Sequence, residues 1–297
     1  MKTFVFALLL SLPSLASAQT ISFTFDDGLD PRLQPQAARW NAQILAALNA
    51  AKTTAMLFPA GKVAGSREGL ALVKQWSEAG HAIGNHTYSH MALSKKDLTL
   101  TGFTDDVVRA DKLFSGLPGW QRRLRFPYLK EGDTSSKRDG MRRWMAANQY
   151  LPAPVSIDGS DWYFSDRFLA WRELHATKDP AAYRRAYLAH LWDRARYYDG
   201  LAKRVLGRSP AHVMLLHTNA INAEFLPDVL AMFKDKGWDI VSPMLAFNDP
   251  LYAQTSSALP AGESIVWALA KQAQVPDLRY PAEDGSYEQA HLDEMGL

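Results

Sequence analysis

Apolar and polar positions along the chain alternate between two periods. Residues 20–25 form a short strand-like apolar run, and residues 39–50 then place Trp40, Ile44, Leu45 and Leu48 on one helical stripe. The pairing recurs: residues 53–58 are strand-like, and Ser66 can cap a helix carrying Leu70, Leu72, Val73 and Trp76 that stops at Gly80. A short strand over 81–84, a helix over 105–117, a strand near 124–126 and a helix over 136–148 follow. Further strands are expected near 155–157, 212–216 and 238–241. Strand and helix in alternation predict an α/β fold, a parallel sheet with its helices outside, closed or nearly closed into a barrel.

Two stretches break the alternation. Residues 166–207 are rich in Ala, Arg, Leu, Tyr and Trp and lack strand signals, which predicts a helical insertion with Pro180 in the first turn of its second helix. Its aromatics (Trp171, Tyr183, Tyr187, Trp192, Tyr197, Tyr198) recur at helical spacing and read as packing residues. After Asp249 come Pro250, Pro260, a short helix over 264–271 and a polar run over 281–285, a tail expected to wrap the barrel. The expected organisation is therefore a leader over 1–18, a catalytic domain over 19–249 that contains the insertion 166–207, and an extension over 250–297 packed on the barrel.

The leader is read from a single Lys2, an apolar run over 4–15, and Ala16-Ser17-Ala18, a small-x-small cleavage pattern. The run is shorter than the roughly 20 residues a membrane span needs, so a mature chain from Gln19, secreted or periplasmic and not membrane-inserted, is expected. With 33 basic against 31 acidic residues, the chain has no bulk field to gather nucleic acid or anionic lipid, and nothing points to a protein partner. The absence of cysteine excludes disulfides, thiolate nucleophiles and Cys-bound metals. Any metal must sit on His and carboxylate.

Thr24-Phe25-Asp26-Asp27-Gly28 ends the first strand and places two adjacent carboxylates on the face where parallel α/β barrels keep their sites. Adjacent carboxylates repel, and are best tolerated when a cation neutralises one and the other is free to act as a base. After the third strand, Gly84-Asn85-His86-Thr87-Tyr88-Ser89-His90 carries two His four apart, so that one helical turn would aim both imidazoles the same way. With Asp27, His86 and His90 make a two-His, one-carboxylate set that leaves positions open for water and substrate. The set suits a hydrolytic zinc centre, and equally non-haem Fe(II).

Together with Arg125-Phe126-Pro127-Tyr128, Asp158-Gly159-Ser160-Asp161-Trp162 and Leu215-Leu216-His217, these motifs resemble, in order, the five motifs of the polysaccharide deacetylases (NodB-homology domain, carbohydrate esterase family 4). The resemblance spans roughly residues 20–245 and implies a distorted (β/α)7-type barrel, one divalent metal and removal of acetyl groups from an acetylated glycan substrate. It implies Asp26 as catalytic base and Asp27, His86 and His90 as metal ligands, with Zn2+ expected and Co2+, Ni2+ or Fe2+ possible. Arg125 would pair with the base, the Tyr128 backbone N–H would face the oxyanion, and His217 would be the general acid tethered by Asp161. Trp162 and Leu215 would wall the acetyl methyl. Leu129-Lys130-Glu131-Gly132 and Thr218-Asn219 depart from the family pattern, at the rim more than the centre.

Overall fold

The computed structural model describes residues 19–279 and 285–297, so the predicted leader lies outside the described residues. In chain order the elements are β1 (Thr20–Asp27), α1 (Ala37–Ala50), β2 (Met56–Pro59), α2 (Gly61–Ala64), α3 (Arg67–Glu78) and β3 (Ala82–Asn85). Next come α4 (Leu100–Phe114), β4 (Trp120–Leu124), β5 (Lys130–Gly132), α5 (Ser135–Ala147), β6 (Leu151–Pro152) and β7 (Ile157–Asp158). The chain continues through α6 (Asp161–Leu174), α7 (Ala181–Leu206), β8 (Ala211–His217), α8 (Ala220–Asp235), β9 (Asp239–Ile240) and α9 (Pro243–Ala246). It ends with β10 (Ala261–Gly262), α10 (Ile265–Gln272) and α11 (Gly285–Glu294).

The main sheet is wholly parallel, ordered β6-β4-β3-β2-β1-β8-β7, with β9 also on β1. It curls into a half-barrel with helices against it, in keeping with the nearly closed parallel sheet expected of the alternating pattern and the distorted (β/α) barrel implied by the family resemblance. Its edge strands β6 and β7 are two residues each. Pro152 and Pro154 withdraw two backbone donors from the segment between them, so a ladder cannot run on across the seam. Accordingly the strand expected near 155–157 shrinks to Ile157–Asp158.

Other boundaries move for local reasons. The strand expected near 124–126 is β4, Trp120–Leu124, whose middle three residues Gln121, Arg122 and Arg123 are polar, a pattern that hides its extent from an apolar reading. Helix α4 begins five residues earlier than expected because the Thr99 hydroxyl caps it, accepting from Gly102 N at 3.0 Å. The two helices of the 166–207 stretch are α6, which already starts at Asp161, and α7, for which Pro180 is the N-cap rather than a first-turn residue. Tyr183, Tyr187 and Tyr198 are fully buried, and Trp171, Trp192 and Tyr197 pack against the same core. The tail adds β10 antiparallel to β5 and lays α10 on α7.

Strand β1 is the axis of the fold, with partners on both sides. Its own Ile21, Phe23 and Phe25 sit in the main core, and the ring of Trp76 in α3 lies 5.2 Å from that of Phe25, centroid to centroid. The buried Trp76 Nε1 donates to Asn41 Oδ1 at 2.7 Å, tying α3 to α1. Trp76→Ala is expected to cost about 3–5 kcal/mol, by cavity formation and loss of that bond. The check is chemical denaturation alongside Leu33→Ala, whose side chain is exposed and whose stability should be unchanged.

Candidate active site

The β1–β2 and β1–β8 registers assemble the first part of the site. Asp26 is paired across the sheet with Phe58 on one side and His217 on the other. The chain then turns sharply: Asp27 has φ 75° and Gly28 φ 81°. A Cβ at Gly28 would stand 2.8 Å from Ala64 Cβ, so only glycine fits. The turn separates the two carboxylates by environment. Asp26 is buried against Arg125, whereas Asp27 is turned toward the two histidines.

Arg125 is fully buried and every arm of its guanidinium is engaged. Nη1 donates to both oxygens of Asp26 at 3.1 and 3.2 Å, Nη2 to Thr24 Oγ1 at 3.0 Å and Nε to Ala153 O at 2.6 Å. Burial raises the Asp26 pKa from its ordinary value, although Arg125, His217 and His90 each pull it down. The result is a carboxylate fixed in orientation yet with increased proton affinity.

The histidine pair does not form the helical turn expected of its spacing. Residues 86–90 are a loop in which Thr87 (φ 61°) and His90 (φ 54°) are left-handed. Neighbouring side chains hold this shape: Asn85 Oδ1 accepts from Thr87 N at 2.7 Å, and Thr87 Oγ1 accepts from His90 N at 3.1 Å. Asp106 accepts from Tyr88 N, Ser89 N and Ser89 Oγ at 3.1, 2.7 and 2.6 Å. The loop thereby brings the rings to 4.8 Å between centroids, edge to face.

His86 Nδ1 lies 2.8 Å from Arg125 O, and a carbonyl only accepts, so Nδ1 carries the proton and Nε2 a lone pair. Burial and neighbouring His90 hold the His86 pKa well below its ordinary value, which keeps the ring neutral. That lone pair faces Asp27 Oδ1 at 3.6 Å, and His90 Nε2 is 3.2 Å from the same oxygen. One ligand atom each from Asp27, His86 and His90 fall within 4.8 Å of one another. Asp27 Oδ1 is buried without a hydrogen-bond partner, an orphan that a cation satisfies. The residues present therefore fit a divalent metal with nitrogen and oxygen ligands.

Opposite this cluster, His217 Nδ1 contacts Asp161 Oδ1 at 2.7 Å. The other Asp161 oxygen accepts from His217 N, Asn219 Nδ2 and Asn222 Nδ2 at 2.8, 2.9 and 2.6 Å. Burial opposes a charged ring, yet Asp161, with help from Asp27 and Asp26, raises His217 to about 10. The partner shift agrees in sign, since Asp161 is lowered against its own burial by His217 and these donors.

A cavity of about 450 Å3 joins the two halves, lined by Asp26, Asp27, His86, His90, Tyr128, Trp162, Leu215 and His217. Arg125 and Asp161 stand behind it, each bonded to a lining residue. Tyr128 is left-handed (φ 55°), with its ring 4.6 Å from that of His90. Two lining residues were not singled out from sequence, Leu129 and Asp158. Burial raises Asp158 to about 6 while Ser160 N donates to it at 3.1 Å. Its position at the end of β7 was the available signal.

The His217–Asp161 pair predicts a pH dependence in chelator-treated protein. The folded pKa of about 10 exceeds the ordinary 6.5, so the stability it supplies is complete below pH 6.5 and lost as pH rises through about 10. Unfolding free energies across that window should fall more steeply for the native chain than for His217→Ala. Equal slopes would show that the ring is not held charged.

Residues 15–144 match the sequence model of a family described as polysaccharide deacetylase. A peptidoglycan-N-acetylglucosamine deacetylase of Bacillus cereus is 27% identical over 143 residues, 48% of this chain and 46% of that protein. A chitin deacetylase of Arthroderma benhamiae is 30% identical over 145 residues, 48% of this chain and 35% of that protein. The chain thus spans less than half the length of these curated relatives. Among solved structures, a family 4 carbohydrate esterase pseudoenzyme from Bacillus anthracis aligns with TM-score 0.55 and 14% identity, covering 78% of this chain and 66% of its own. A peptidoglycan N-acetylglucosamine deacetylase bound to a hydroxamate-type ligand aligns with TM-score 0.52 and 21% identity, covering 77% of this chain and 88% of its own. At these identities the solved structures establish a shared fold, and the sequence matches carry the kinship. The match over residues 15–144, the curated deacetylases and the shared fold together support a polysaccharide deacetylase domain of the NodB-homology type, carbohydrate esterase family 4.

Proposed function

We propose that this chain hydrolyses the acetyl group from an N- or O-acetylated polysaccharide or oligosaccharide, using a metal held by Asp27, His86 and His90. The observation that supports the reading best is the orphaned Asp27 Oδ1 among two imidazole nitrogens, facing a separate buried carboxylate and a charged His217 across one cavity. A bound divalent ion, zinc by preference, with cobalt, nickel or ferrous iron served by the same ligands, supplies Lewis acidity toward water and the acetyl carbonyl. The names of the curated relatives favour N-acetylglucosamine polymers as substrate.

The protein's own residues divide the remaining work. Asp26 accepts the proton of the attacking water, its raised proton affinity favouring that transfer. Arg125 keeps the carboxylate oriented, and the Tyr128 main-chain N–H faces the oxygen on which negative charge develops. Trp162 and Leu215 exclude water around the acetyl methyl. With Nδ1 bound to Asp161, His217 donates from Nε2 to the departing sugar nitrogen or oxygen as its bond to the acyl carbon breaks. The organisation that goes with this reading is an exported chain with a catalytic domain over 19–249 and an extension over 250–297.

Asp26→Asn should lower kcat by roughly 10²–10⁴-fold while leaving bound metal, measured by elemental analysis, unchanged. A variant with near-native kcat would remove Asp26 from the role of base. His217→Ala should lose more activity on acetamides than on acetyl esters with good leaving groups, because an acid matters most for a poor leaving group. Equal losses on both substrates would contradict the acid assignment.

A further inference from the structure

A second cavity, about 580 Å3, lies between α5, β6 and the segment that follows α9. Its walls are largely apolar, built from Phe126, Met145, Leu151, Phe247, Tyr252 and Ile265. It is separate from the active-site cavity but shares a wall with it. The chain passes from Leu129, which lines the active site, into β5, where Glu131 lines this second space. Glu263, the residue after β10, braces that wall through its backbone N, which donates to Leu129 O at 3.1 Å.

All but one of the charged residues lining the cavity have an ion-pair partner. Glu131 pairs with Arg142 at 3.3 Å, Asp249 with Arg208 at 2.6 Å, Glu263 with Lys130, and Arg138 with Asp139 at 2.7 Å. Arg123 is left over. Its side chain is nine-tenths buried, and its guanidinium lies 4.5 Å from the Phe247 ring centroid. Nη1 donates to Pro152 O at 3.0 Å, and among the described residues no carboxylate reaches Arg123. Burial alone shifts its pKa, downward, with no acidic neighbour opposing it. A guanidinium with spare donors and no counter-ion on the wall of a largely apolar space is suited to an anion, which would pair with those donors.

We infer that this cavity binds one single-chain organic carboxylate, its head group on Arg123 and its hydrocarbon chain along the apolar walls. One unpaired cation matches a monoanion, and the planar guanidinium fork matches a carboxylate. The volume falls within the range of roughly 300–1,000 Å3 typical of small-molecule sites, and far exceeds what a lone inorganic anion needs. The apolar lining selects an alkyl chain over a second polar group.

The test is calorimetric titration of the purified chain with dodecanoate below its micelle concentration. Saturable one-to-one binding is expected, weakened roughly tenfold or more in Arg123→Gln and for the neutral dodecanol. Leu151→Glu, which changes an exposed side chain at the cavity, should weaken dodecanoate as well and cover the case of a misfolded Arg123→Gln. No saturable binding overturns the inference. So does an affinity equal in native chain, Arg123→Gln and Leu151→Glu, which would place the carboxylate on the metal-ligand cluster instead.

Discussion

The site depends on one buried ion pair, Arg125 with Asp26. Removing a guanidinium and a carboxylate from water costs several kcal/mol each, and the attraction between them offsets this only when the remaining donors are also satisfied. Here they are, by Thr24 and by the carbonyl of Ala153 at the seam between β6 and β7. The backbone of the same residue reaches further. Arg125 N donates to Asn85 O at the end of β3, and Arg125 O fixes the tautomer of His86. A single residue thus orients the Asp26 carboxylate, sets the lone pair of His86 and ties the end of β4 to the segment that follows β6.

Around that pair the backbone is held in conformations that L-residues rarely adopt. Asp27, Thr87, His90, Tyr128 and Ser160 are all left-handed, and all lie at or beside the cavity. Such residues cost on the order of 1–3 kcal/mol each and persist only where surroundings over-determine them. The surroundings are a cysteine-free core: Phe23, Phe25 and Trp76 under β1, and a second apolar cluster of Phe103, Val107, Met141 and Met145 between α4 and α5. Asn85 couples the second cluster to the site, since its amide donates to Val107 O and Asp111 Oδ1 while its oxygen holds Thr87 N.

Much of this was legible in the chain because the chemistry sits in short contiguous motifs at strand ends. Asp26-Asp27-Gly28, the His86/His90 pair and His217 each close a strong strand signal, and strand order then delivers them to one face. What escaped was set by contacts between distant segments. The spacing of His86 and His90 suggested a helical turn, whereas Asp106 and Asn85 impose a loop. The polar middle of β4, Gln121 to Arg123, masked the strand's extent, and the prolines at the seam shortened another. Asp158 stood in a quoted motif without a role, and its place on the cavity wall, where burial raises it to about 6, emerges only in the fold. The second cavity unites residues near 123, 145, 247 and 265, a juxtaposition that no local pattern announces.

The central claim is that the Asp27, His86 and His90 cluster serves hydrolytic deacetylation. It is tested most directly by acetate release from the chain beginning at Gln19, on N-acetylated oligosaccharides, peptidoglycan and O-acetylated xylan, before and after chelation and metal add-back. The account predicts acetate from at least one substrate, abolished by chelator and restored by a divalent metal. Acetate release that persists after complete metal removal, or none from any substrate with metal bound, would contradict it.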